Sequence, residues 1–206
     1  MQMDHLRRRV ISTDYYPFFG CCSLAAEEIS EIQKDLSELR KSDAIENPRT
    51  KTYREARDLD HLLEINIATA IVFAVCAAEH LINTYAILAK TRAQLPTLID
   101  RLDLETKWRI VPELVCGRSL AESGPGLHGL HQLIKARNAL VHAKPLVIDN
   151  PTDDQVISLV SRAENLRKER SRLAVNAPKH VTQLAAELGK VDRRAKKIAV
   201  EHGVCI

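Results

Sequence analysis

Arg137, Asn138 and His142 form the segment of this chain whose residue types and spacing best suit a reaction. On a helix, Asn138 and His142 stand four residues apart and share a face. Arg137 lies about 140° round from His142, but its side chain is long enough to swing back toward the same rim. A guanidinium, an amide and an imidazole would then gather at one helix end. Arginine presents a planar, permanently charged fork to phosphate oxygens. Histidine titrates near neutrality and can exchange a proton with a ribose 2′-OH or a departing 5′-oxygen. Asparagine can hold the imidazole or donate to phosphate. The set suits phosphodiester chemistry. No carboxylate cluster of metal-binding type lies nearby in the sequence, so the chemistry is expected to need no metal and no other cofactor.

Structural roles for the same residues stand beside this one. His142 can cap the helix C-terminus, where the helix dipole favours a cation. Arg137 can pair with Glu79, an acid set in the most apolar part of the chain. Glu79 would then either orient Arg137 and tune His142, or form a buried ion pair that sets helix register. Both roles place it near the motif. His80, His128 and His131 read as surface or capping residues, and Trp108 as a core anchor.

The elements that must position these residues are helical. The chain has 206 residues, rich in Leu, Ala, Glu, Lys and Arg, with 7 Gly and 4% aromatics. That mix favours helix, and the length suits one domain. An irregular arm is expected over residues 1–20, which contain Pro17 and Gly20. Leu24, Ile29, Ile32, Leu36 and Leu39 predict an amphipathic helix over about 23–41. A polar connection is expected over 43–57, with a break at Asn47-Pro48. The long central helix is predicted over about 59–90, its buried side traced by Leu63, Ile67, Ala70, Ile71, Ala74, Ala78, Leu81, Ile82 and Tyr85. Two short helices follow, near 97–102 and 104–115. A helix from about Gly126 carries the motif in its last turns, because Pro145 cannot continue it. A helix over 153–175 comes next, and a last one begins at Asn176 with Pro178 in its first turn.

Composition narrows the function classes. The five cysteines, Cys21, Cys22, Cys76, Cys116 and Cys205, are scattered without a Cys-x-x-Cys pair, which indicates neither a disulfide framework nor a zinc site. A cytoplasmic setting is expected. Arg7-Arg8-Arg9 precedes a partly apolar segment, but Asp14 and Pro17 interrupt it and argue against a signal peptide. The apolar run Ile67–Ala78 falls short of the roughly 20 residues that span a bilayer, so no membrane partner is expected. The net charge is only +3, yet between Arg162 and Lys197 eleven Lys/Arg face four acids. Such a tail can lie along phosphates, or be a solvated helical face.

The segment Leu133-Ile-Lys-Ala-Arg-Asn-Ala-Leu-Val-His-Ala-Lys-Pro145 resembles the Arg-x4–6-His signature of HEPN domains, in the form with Asn directly after Arg. Cys76-Ala-Ala-Glu-His-Leu-Ile-Asn83 is similar to the long helix that precedes the motif in that family, where an acid and an Asn often face it. Lys107-Trp108 with Pro112 looks like the linker of some bacterial members. The resemblance covers roughly residues 60–145. Within the all-α fold that composition and periodicity predict, it implies a HEPN-like bundle of four to five core helices, expected over 21–148. The basic C-terminal helices over 149–206, expected to pack on or extend from that bundle, lie outside the resemblance, as do residues 1–58. The resemblance also implies a homodimer in which two motifs meet in a cleft. Many members are metal-independent endoribonucleases, often toxins of toxin–antitoxin or phage-defence systems. Others bind protein without catalysis. By position, Arg137 and His142 would be the catalytic pair with Asn138 as auxiliary. Glu79 and Lys135 are expected as supporting residues beside them. The implied partners are RNA and a protein antitoxin or other regulator.

Overall fold

The computed structural model describes residues 15–41, 48, 50–88, 99, 101–142 and 152–201. Every element among them is an α-helix: α1 (Tyr15–Leu39), α2 (Lys51–Leu88), α3 (Leu104–Cys116), α4 (Pro125–Val141), α5 (Asp153–Val175), α6 (Ala177–Val191) and α7 (Arg193–Glu201).

α1 and α2 form an antiparallel hairpin. Phe18 at the start of α1 stacks on Phe73 of α2, and Arg40 beyond its end pairs with Asp60. The α1 stripe Cys22, Ala25, Ile29, Ile32 and Leu36 packs into the face of α2 carrying Leu63, Ile67, Ala70, Ile71 and Ala74. Fully burying a side chain such as Ile29 or Ile71 contributes about 1.5–3 kcal/mol, so this seam stabilises the hairpin far more than helix propensity does. By length and composition α2 is apolar enough to cross a membrane. Much of its apolar surface instead faces other helices of the bundle.

Two boundaries differ from the sequence expectation. α1 begins at Tyr15 rather than after the expected 1–20 arm. Pro17 falls in its first turn, where a missing N–H leaves no intrahelical bond unmade. α2 begins at Lys51, inside the expected polar connection. Thr50 starts it early, its hydroxyl accepting from the Tyr53 amide at 3.2 Å, as an N-cap does. Half of the short helix expected near 97–102 lies outside the described residues, as do residues 1–14 and the Pro145 and Pro151 breaks.

α3 is capped by Asp103, which accepts from the Thr106 amide and hydroxyl at 2.9 and 2.6 Å, and ends at Gly117 in the left-handed region. Its Trp108 is fully buried. α4 and α6 lie backbone to backbone because Gly126 and Gly129 have no Cβ. A Cβ at Gly126 would meet the Leu184 amide at 2.9 Å, and one at Gly129 would strike the His180 ring. The Gly126 amide donates to Glu187 at 2.8 Å across the same contact. α6 buries Val181, Leu184 and Leu188 in the core shared with α2 and α4. α5 opens on a capping box between Thr152 and Gln155. Its second half is tied down by Arg167, which pairs with Asp60 and Glu64 at 2.6 and 2.7 Å, while its first half is mostly exposed.

The last helix expected from the sequence is two, broken at Asp192. This buried carboxylate accepts from the Tyr85 hydroxyl at 2.8 Å, and from the Arg194 backbone amide and guanidinium at 2.7–3.1 Å. Bonded to the amide two residues on, it ends α6 and starts α7. Arg194 chiefly holds the Asp192 carboxyl down at about 2. A depressed folded-state pKa contributes stability above the ordinary carboxylate range, and that contribution is lost as pH falls through about 2. Asp192→Asn should therefore be less stable than wild type at pH 7 and should lack part of its acid slope below about pH 4. Parallel slopes in urea titrations across that window would contradict the assignment.

Candidate functional site

The motif occupies the last two turns of α4. His142 is the C-cap residue, its amide donating to the Asn138 carbonyl at 2.9 Å. Asn138 and His142 are both exposed. Their shared solvent face follows from the buried positions of α4, Leu127, Leu130 and Leu133, which direct the opposite side into the bundle.

Arg137 is placed differently. It follows Leu130 and Leu133 by seven and four positions, so it lies along the buried side and is half-buried there. Its guanidinium sits close enough to α2 to act on Cys76. Burial first pushes that thiol above its ordinary range, Glu79 raises it further, and Arg137 pulls it down. Among the described residues, Arg137, Asn138 and His142 make no side-chain hydrogen bond or ion pair. The motif is thus neither mutually satisfied nor gathered on one face of this chain.

The expected pairing of Glu79 with Arg137 is not what the structure contains. Glu79 Oε1 accepts from Lys107 Nζ at 2.9 Å, with the Lys107 side chain 4% exposed and that of Glu79 44% exposed. α3 crosses α2 here and supplies the cation from a buried position. Glu79 remains beside the motif through Cys76, but its direct partner belongs to another helix.

Lys135 is exposed and lines a groove of about 490 Å³ between α4, α5 and α6. Ala136, Ala139 and Leu173 form apolar walls, and Arg170 and Arg172 from α5 bring positive charge to the rim. His180 of α6 closes one side, seated against Gly129. Burial chiefly holds its imidazole below the ordinary range. His180 carries no motif in the sequence, and Arg170 and Arg172 are legible there only as part of the basic tail. A second depression, about 810 Å³, runs beside α6 and α7 and carries Lys190, Arg193, Lys196 and Lys197.

His80 is not the surface or capping residue expected: it is half-buried, its ring 6.5 Å from that of Phe18. His131 Nδ1 is 3.1 Å from Glu105, and His128 Nε2 is 3.0 Å from the Gln132 amide nitrogen. Among the described residues no group of three His, Cys, Asp or Glu converges as metal ligands. No protein-family model, curated protein or solved structure matches the chain.

Proposed function

We propose that the protein is a HEPN-like, metal-independent endoribonuclease, acting as the toxin of a toxin–antitoxin or phage-defence system. The observation that carries this reading is the exposed His142 at the end of α4, with no side-chain partner among the described residues and Asn138 on the same face. An imidazole so placed is free to exchange a proton with a substrate hydroxyl. Arg137, likewise without an ion pair among the described residues, is a reserve of charge for a phosphate. The deciding experiment is incubation of purified protein with mixed RNA in EDTA, beside His142→Ala.

Arg137 and His142 diverge on one α4, so the reading requires a homodimer in which the partner helix completes the set. Val141, which precedes His142, is 59% exposed and would pack at such a two-fold interface. Light scattering at micromolar concentration should give twice the chain mass. A clean monomer would overturn the dimeric site.

The turn of Arg137 toward α2 favours a second reading, a non-catalytic module that binds an antitoxin or other protein through this surface. Arg137 would then brace α4 against α2. Under this reading RNA stays intact at every enzyme concentration, and Arg137→Ala lowers stability.

A further inference from the structure

We propose that the groove between α4, α5 and α6 binds the RNA strand beside the cut, holding a flanking phosphate on Lys135, Arg170 and Arg172 and its nucleoside against Ala136, Ala139 and Leu173. This rests on the nuclease reading for the identity of the strand, and on the groove's own make-up for the binding.

Continuity with the motif comes first. Lys135, Ala139 and His142 stand at i, i+4 and i+7 on α4, in one row along the helix. Lys135 and Ala139 line the groove, and His142 is the next residue of the row, at the helix end. A strand whose scissile phosphate lies at His142 can therefore run along this row into the groove.

The chemistry of the lining comes second. Three cations border the groove, and among the described residues none has a side-chain hydrogen bond or ion pair. The neighbouring α5 cation is spent differently, since Arg167 is engaged by Asp60 and Glu64. Glu169 is the acid on this lining, leaving a net positive rim. Between the charges, Ala136, Ala139, Leu166 and Leu173 give apolar walls, while Gln132 and Asn176 add hydrogen-bonding groups, as a sugar and base require. The volume of about 490 Å³ lies within the roughly 300–1,000 Å³ range of ligand sites. The wall opposite α4 is firm, because His180 is wedged against the Gly129 backbone and a Cβ there would displace it.

The cleft beside α6 and α7 is the competing basic surface. It has more charge, but its lining includes only Gly189 and Val200 besides the four cations. No motif residue lies on it.

The test uses a short, fluorescently labelled 2′-O-methyl oligoribonucleotide, which lacks the attacking hydroxyl and cannot be cut by 2′-OH chemistry. Arg170→Ala/Arg172→Ala should weaken its binding about tenfold or more, as expected for losing charge-assisted contacts. The same variant should flatten the slope of log affinity against log salt by up to about 0.7, the single-strand value for one neutralised phosphate. Ala139→Leu keeps every charge and fills the groove from an exposed helix position, so it should also weaken binding, with its salt slope unchanged. Circular dichroism melts establish that each variant is folded. Wild-type affinity in both folded variants would overturn the proposal. So would loss of binding only in Arg193→Ala/Lys196→Ala, which would move the strand to the other cleft. If the groove variants bind normally while wild-type protein cuts RNA, the groove assignment falls and the nuclease reading stands. If they lose binding while no preparation cuts RNA, the nuclease reading falls and the groove assignment stands.

Discussion

His142→Ala should cut RNA about 10²–10⁴-fold more slowly than wild type, the usual contribution of a positioned general acid or base. His142 sits at the exposed end of α4, so the substitution removes an imidazole without opening the core, and the melting temperature should hardly move. The imidazole would take the proton from the ribose 2′-OH or give one to the departing 5′-oxygen. Products should therefore end in a 2′,3′-cyclic phosphate, and DNA should be left intact. Arg137→Lys keeps the charge but loses the planar fork that matches two phosphate oxygens, and it should be nearly as damaging. Cleavage assays in EDTA with end-group analysis check all of this. Cutting that requires Mg²⁺, proceeds on DNA or survives His142→Ala would remove the motif from the active site.

Glu79→Ala should destabilise the protein by on the order of 1–3 kcal/mol, the cost of leaving the buried Lys107 donor unsatisfied. Lys107→Met should be close to neutral. The asymmetry follows from burial. The Lys107 side chain is 4% exposed and that of Glu79 44%. Deleting the acid strands an ammonium among buried residues, whereas deleting the cation leaves a carboxylate that water already reaches. Methionine also fills the volume of the lysine stem with apolar atoms. For a chain of this length each kcal/mol moves the melting temperature by about 2–4 °C, so thermal melts resolve the difference. Equal losses for the two variants would contradict this account of the pair. A Glu79→Ala protein of normal stability that no longer cuts RNA would instead give Glu79 a direct part in the reaction.

The helical class and the face of α2 were legible from residue order, because helical periodicity is a local property. The residues from Leu63 to Tyr85 that recur at helical spacing are those the bundle buries. Two helix starts were legible for the same reason: Pro178 sits in the first turn of α6, and Asp153 begins α5. Single-residue signals were ambiguous where one residue serves two purposes. Pro17 stops a helix in mid-run but suits its first turn, so the start of α1 was missed. Asp192 looks like one more solvated acid until Tyr85 and Arg194 close on it, so the break between α6 and α7 was missed.

The motif shows the same division. Its residues, their order and the shared face of Asn138 and His142 follow from the sequence, since four residues make about one helical turn. The side of α4 that Arg137 takes also follows from its spacing, four and seven residues after Leu133 and Leu130, whereas which cation meets Glu79 depends on how α2 and α3 cross. That crossing is set by the summed packing of distant side chains, and spacing along the chain carries no record of it. The groove is a purely tertiary feature: its walls come from three helices, and it is firm because Gly129 lets His180 approach α4.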